Sequence, residues 1–490
     1  MTTKVSPSVQ HNFMMNFLLK TSGIIFAAIS YPYAYRILGA EGIGRTSFVT
    51  SIMSLFSLVA LLGIPTYGIR ACAQVRDDKA VLSRTVRELL TIQMTASAAA
   101  ICMLAICVRL ILRLAENAGL FYIQMATLLI NALGTEWYFA GTEQYTYIAI
   151  RSTLVRALVC VLTFLLVRKP TDYSVYMVLL ASATAIPCLL NFPQLQRQLV
   201  GGFAWKDLRL RGHIRPILIF FFQTAAITVY TNLDSAMLGF LQNDYWVGVY
   251  NAALKIKIVL CCFTTCLGTV LSPRLSNFFH TGRLDDFNSN VQKSMEFTII
   301  TGLPLAFFFC MTAPECIAVL FGANYASATM PLRILSPTVL LIGFSSVTGT
   351  QILTAMGKEK SVMLSCIAGA IVDFSVNWML IPRYAANGAA VGTVLAEATV
   401  LAVQGCALRR QSSPMFMELK WRTALAAAIT PIVILATLKI WGLPPIIYMA
   451  ISAPVYFICA LGVLIILREP LIYSTVQRIR HSSNRLENQK

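Results

Sequence analysis

Two arginines, Arg151 and Arg156, stand in the stretch EWYFAGTEQYTYIAIRSTLVR, inside a run that is otherwise apolar enough to cross a membrane. Seven further charges are placed the same way: Lys20, Asp234, Lys255, Lys257, Arg333, Asp373 and Glu397. A charged side chain at that depth costs several kcal/mol unless it is paired or hydrated, so such residues face a cavity or one another. The cations among them outnumber the anions by about two to one. Surplus Lys and Arg suit a phosphate group, which guanidinium forks and ammonium groups bind well. The candidate substrate-binding residues are therefore Arg151, Arg156, Lys255, Lys257, Lys20 and Arg333. Asp234, Asp373 and Glu397 are candidates for ion pairing or for holding a coupling cation. Lys255 and Lys257 are separated by about 200° around a helix, so one faces the cavity and the other a neighbouring helix. Lys20 and Arg333 lie nearer the interfaces, where a long side chain can equally snorkel to the headgroups.

The elements that must carry these charges follow from composition. Of 490 residues, 57% are hydrophobic and 12% are charged, and the mean hydropathy is +0.69. Soluble domains are about one quarter charged, so the chain reads as an all-α polytopic membrane protein with no separate soluble domain. The first apolar run, from His11 to Tyr35, is too long for a signal sequence and lacks a small-residue cleavage site, so it is read as a true span. Breaks at charge clusters and Gly/Pro turns give about fourteen transmembrane helices. They run from about 11–35 and 46–69, through 361–381 and 388–408, to 445–467.

The formal net charge of +18 has a topological explanation. Arg70, Arg76, Lys79, Arg84 and Arg87 fall in one loop, Arg197, Arg209, Arg211 and Arg215 in another, and the opposite loops hold few basic residues. The bias is about three to one, which places both termini in the cytoplasm and removes the need for a nucleic-acid partner. The thirteen cysteines lie mostly in apolar runs without paired CxxC spacing, and the four histidines are scattered. Neither a metal, a cofactor nor structural disulfides are expected.

An internal repeat divides the chain. RILGAEGIGRTSF around Leu38–Gly39 pairs with AMLGFLQNDYWVGVYNA around Leu238–Gly239, and Pro65 pairs with Pro273. Gly134–Thr135 then pairs with Gly349–Thr350, and Glu143 with Glu359. The offset drifts in one direction from about 200 to about 216, as small loop insertions produce. The expected organisation is a six-helix lobe over 1–212, a second over 213–412, and two additional helices with a basic cytoplasmic tail over 413–490. Parallel repeats of this kind are one transporter architecture, with the substrate between the lobes. Structural roles account for other features. Glu143 and Glu359 fit first helical turns, where a carboxylate offsets the macrodipole, Trp137 and Tyr138 fit an interfacial belt, and Pro65 and Pro273 fit helix ends or kinks.

Several of these segments resemble a known family. TNLDSAMLGF…VGVYNAALKI (Thr231 to Ile256), LSPRLSNFF, LFGANYASATMPLRIL, GTQILTAMGKEK, NGAAVGTVLAEATV and EWYFAGTEQYTYIAIR are similar to the polysaccharide flippases. These form the polysaccharide transport branch of the multidrug/oligosaccharidyl-lipid/polysaccharide exporter superfamily. The resemblance extends to about residue 410. It implies a bacterial inner-membrane flippase that carries an undecaprenyl-pyrophosphate-linked oligosaccharide, such as an O-antigen repeat unit, to the periplasmic leaflet by alternating access. A polysaccharide polymerase and its chain-length machinery are the further partners it implies, besides the bilayer and a coupling cation.

Alternatives within the superfamily are a lipid II flippase and a multidrug cation exporter. The drug exporters typically have twelve spans, which counts against that branch. A membrane-embedded polymerase or glycosyltransferase would need catalytic groups in large outer loops; the outer loops here are short and hold no acidic pair or nucleophile–base cluster. The chain is therefore not expected to be an enzyme.

Overall fold

A computed structural model describes residues 9–201, 208–409 and 421–469. All the regular structure among them is helical. The first nine helices are α1 (Val9–Leu61), α2 (Ile64–Gln74), α3 (Lys79–Leu110), α4 (Leu112–Ala115), α5 (Ala118–Asn131), α6 (Glu136–Gly141), α7 (Tyr145–Leu166), α8 (Tyr173–Gln198) and α9 (Arg211–Leu241). The next six are α10 (Asp244–His280), α11 (Leu284–Met311), α12 (Ala313–Leu320), α13 (Thr329–Leu335), α14 (Thr338–Ser346) and α15 (Glu359–Leu408). The last three are α16 (Trp421–Ile429), α17 (Ile432–Ile440) and α18 (Pro445–Ile466).

Eleven helices among the described residues are long and apolar enough to cross a membrane, or twelve if the bent pair Ala323–Leu335 and Thr338–Leu353 forms one span. The expected fourteen spans differ from this number in two places. The helical run Met14–Gln74 has 61 residues and α15 has 50, or about 90 and 75 Å at 1.5 Å per residue. A hydrocarbon core is only about 30 Å thick, and each run contains two of the expected spans. Both are interrupted: α1 at Gly39 (φ 67°), and α15 at Ala385 (φ 46°, ψ −124°). The second break reverses the chain, because Gly392 on the far arm lies against Asn377 and Asp373 on the near arm. A Cβ on Gly392 would overlap the Asn377 carboxamide. Gly388 and Gly392, four residues apart, are the small-xxx-small pattern that lets helices approach in a membrane.

The chain divides into two compact units, Met1–Gly248 and Val249–Lys490. This differs from the division at 212/213 because α9 packs on α1 and α2 in the first unit. The core of that unit joins Ile64, Leu82, Val86, Leu89, Trp137, Phe139, Ile148 and Leu195. Trp137 and Tyr138 are each only 3% exposed, so they are core residues rather than members of an interfacial belt. Trp137 Nε1 donates to Gln93 Oε1 at 3.3 Å, and Gln93 Nε2 caps the carbonyls of Asn131, Ala132 and Gly134.

In the second unit, Leu275, Phe287, Met295, Ile299, Val347 and Leu353 share a core with Leu408, Ala424 and Ala428. Tyr456 Oη donates to Ala428 O at 2.7 Å, and Lys439 pairs with Glu315 at 2.9 Å. The final helices are thus packed into this unit. Two helix-end expectations resolve differently. Glu359 does sit in the first turn of α15. Glu143 lies in the turn before α7 at φ 59° and pairs with Arg76 at 2.6 Å. Pro65 starts α2 directly after a break at Leu62 and Gly63, whereas Pro273 lies inside α10.

Candidate functional site

In the first unit, α7 carries both arginines of the opening stretch. Arg151 is 7% exposed. Its guanidinium donates to Asn191 Oδ1 on α8 and to Ser152 Oγ at 3.1 Å, and lies 5.3 Å from the centroid of the Tyr147 ring. Glu136 on α6 approaches it to 3.5 Å and supplies a counter-charge. Arg156 is half-buried and donates to Leu19 O at 2.6 Å and Ser22 Oγ at 3.2 Å, both on α1. Gly23 leaves room for it, since a Cβ there would come within 3.2 Å of Arg156 Nη1.

Each buried cation is therefore tied to a carboxylate, an amide or a helix carbonyl, which answers the desolvation problem their position raises. Arg156 and Glu136 line a cavity of about 260 Å³ together with Gln93, Asn131 and Ser152. Its wall is mainly apolar, from residues such as Leu61, Pro65 and Pro187, with these polar groups set into it, so it offers both hydrogen-bond donors and acceptors. Glu136 was outside the expected set, and no sequence spacing encodes its meeting with Arg151, because the two stand on different helices. Lys20 lies exposed on α1, and Asp234 is buried near the end of α9.

The second unit holds a separate polar cluster between α10 and the two arms of α15. Lys257, 8% exposed, stands 4.0 Å from Glu397, 6% exposed. Lys255 is half-buried two residues earlier, on a different face of α10. Asp373 and Asn377 are one turn apart on the near arm and are 1% and 0% exposed. On the far arm Thr393 Oγ1 meets Tyr250 Oη at 2.9 Å. Asn377, Thr393 and Tyr250 were not among the expected residues. The i,i+4 placement of Asp373 and Asn377, opposite the glycine pair, is the signal that would have found them. Arg333 on α13 donates to Cys310 O at 3.2 Å near the end of α11, which is a helix-capping contact.

Other buried charges escaped the sequence reading. Asp244, 7% exposed, binds Arg113 at 2.6 Å and lies 3.7 Å from Arg45. Gly44 permits that approach, for a Cβ on it would collide with the Asp244 carbonyl. Glu88, 4% exposed, accepts from His213 at 2.8 Å and from the Arg209 amide at 2.6 Å. Asp244 opens α10 and Glu88 lies in the third turn of α3, both in charge-rich stretches where hydropathy gives no reason to regard a charge as buried.

The family model described as polysaccharide biosynthesis protein matches residues 9–279, and the MatE model matches 220–379. A Shigella dysenteriae protein named as a candidate O-antigen transporter is 24% identical over 399 residues, covering 80% of this chain and 98% of its own length. Among solved structures, the lipid II flippase MurJ in an inward closed conformation superimposes with a TM-score of 0.72 at 14% identity. It covers 93% of this chain and 99% of its own. An inward-facing multidrug resistance MATE transporter gives 0.62 at 14% identity, covering 81% and 96%. The chain has the fold of these transporters.

Proposed function

Because the chain belongs to the polysaccharide biosynthesis protein family, we propose that it moves a polyprenyl-pyrophosphate-linked oligosaccharide across the membrane. It is a multi-pass membrane transporter of flippase type and not an enzyme. The passenger is an undecaprenyl-linked repeat unit of a surface polysaccharide such as O-antigen. It travels from the cytoplasmic to the periplasmic leaflet of a bacterial inner membrane, and both chain termini are cytoplasmic. Lipid II and cationic drugs are the alternative passengers.

The observation that supports an anionic headgroup is the pair of arginines on α7, buried Arg151 and half-buried Arg156, the second lining a cavity together with Glu136. Within the first unit Arg156 is the proposed pyrophosphate contact, with Lys20 guiding the approach; within the second, half-buried Lys255 is a proposed anion contact and Arg333 a further basic group. Arg151 and Lys257 set the local field while bound to Glu136 and Glu397. Asp373, with Asn377 and Thr393 close by on α15, is the proposed position for a coupling cation, and Asp234 and Glu397 balance charge. The test is deletion of the gene, with lipid-linked oligosaccharide measured on each leaflet, and complementation by wild type or by Arg156→Gln/Lys255→Gln at equal membrane level. The expected result is cytoplasmic accumulation relieved by wild type alone. Normal translocation without the protein would overturn the reading, and full rescue by the double variant would remove these two residues from it.

A further inference from the structure

A second cavity in the first unit differs from the arginine cavity in chemistry. It measures about 380 Å³ and is lined by Ser54, Ser57 and Leu61 of α1, Pro65 and Thr66 of α2, and Thr224, Thr228 and Asn232 of α9. No charged residue lines it. Thr224, Thr228 and Asn232 follow one another at four-residue spacing, so they form a single polar stripe along one face of α9. Its opposite wall is fixed by a tight joint. Leu62 and Gly63 both adopt positive φ, and a Cβ on Gly63 would stand 2.6 Å from Phe221 N. Only glycine allows α9 to rest against that turn.

Three of the lining groups are already committed as donors. Thr224 Oγ1 donates to Phe220 O at 2.9 Å, Ser54 Oγ to Thr50 O at 2.9 Å, and Asn232 Nδ2 to Thr228 O at 2.9 Å. A hydroxyl that donates to its own helix keeps its lone pairs, as does the Asn232 carbonyl oxygen. The cavity therefore presents hydroxyl and amide groups without charge. Such a wall offers phosphate no counter-charge and favours a neutral, hydroxyl-rich group. Leu61 and Pro65 offer an apolar surface to the C–H face of a ring. The volume falls within the roughly 300–1,000 Å³ range of small-molecule sites.

We propose that this α1–α2–α9 cavity is a sugar-recognition subsite, which takes a hydroxyl-rich ring of the passenger away from its pyrophosphate. This rests on the flippase reading. The subsite selects among glycans through Thr224, Thr228 and Asn232, while the arginine-bearing cavity takes no part in that choice.

The test is equilibrium binding to the full-length chain in nanodiscs. The ligands are polyprenyl pyrophosphate carrying the oligosaccharide and the same lipid without sugar. Thr224→Val/Thr228→Val preserves side-chain shape and removes two hydroxyls; Thr224→Ser/Thr228→Ser keeps them. The valine pair should bind the glycolipid about tenfold more weakly, as expected for two lost hydrogen bonds, and bind the sugar-free lipid unchanged. The serine pair should bind like wild type. Unchanged glycolipid affinity in the valine pair, or equal weakening toward both lipids, would overturn the subsite alone. Failure of the wild-type chain to bind either lipid would overturn the flippase reading, and the subsite with it.

Discussion

Glu88→Ala should release the segment at the start of α9, from Arg209 to His213. The first turns of α3 hold the residues that follow α8 at one end and this segment at the other. Ser83 Oγ accepts from the Val200 amide at 2.9 Å, and Arg87 donates to the carbonyls of Val200 and Gly201. At the far end Glu88 accepts from the Arg209 amide at 2.6 Å and from His213 Nε2 at 2.8 Å, while Tyr67 Oη bonds His213 Nδ1 at 2.8 Å. Arg84 also reaches Glu88 at 3.0 Å, but its side chain is 39% exposed, so its share is small. Two hydrogen bonds to a buried carboxylate are each worth about 1.5–3 kcal/mol, and about 3 kcal/mol in total is a conservative figure. That raises the population of the released segment about 100-fold.

Limited trypsin digestion of the detergent-solubilised protein reads this directly, because cleavage tracks the open population when reclosing is fast. Cleavage after Arg209 and Arg211 should accelerate about 100-fold in Glu88→Ala. Glu88→Gln retains an acceptor for the Arg209 amide and should accelerate it by roughly tenfold or less. Wild-type rates in Glu88→Ala would refute the reasoning. So would equal acceleration at sites throughout the chain, which would mean global unfolding instead of a local release.

Gly392→Ala should lower the yield of folded, monodisperse protein, because its Cβ would press on Asn377 and lie 3.1 Å from Asp373 Oδ1. Overpacking of this kind costs about 1–3 kcal/mol, whereas Gly405→Ala on the same helix meets nothing within 4 Å and should be neutral by size-exclusion profile. Lys257→Met leaves Glu397 as a buried charge without this partner and should destabilise by about 3 kcal/mol. The double variant Lys257→Met/Glu397→Gln should recover most of that loss in thermal denaturation, and independent, additive effects would count against the pair.

What the sequence determined by itself was whatever depends on a residue's own transfer free energy. Runs of apolar residues dictated an all-helical, multi-pass chain, since a bilayer satisfies backbone groups only in helices or closed barrels. The same property showed that Arg151, Lys257, Asp373 and Glu397 sit where charge is costly, and all four are buried. Which groups offset that cost was decided by tertiary structure. Arg151 finds Asn191 forty residues away, Lys257 finds Glu397 across α10 and α15, and Glu88 finds His213 across α3 and α9. No periodicity encodes such meetings, because they depend on how the chain reverses at breaks such as Ala385 and on where glycine lets backbones touch. Trp137 shows the same limit: an aromatic near a span end reads as interfacial until Gly68 and Gln93 enclose it in the core. Local hydropathy measures the cost of removing a group from water, and only the fold supplies the partner that replaces the water.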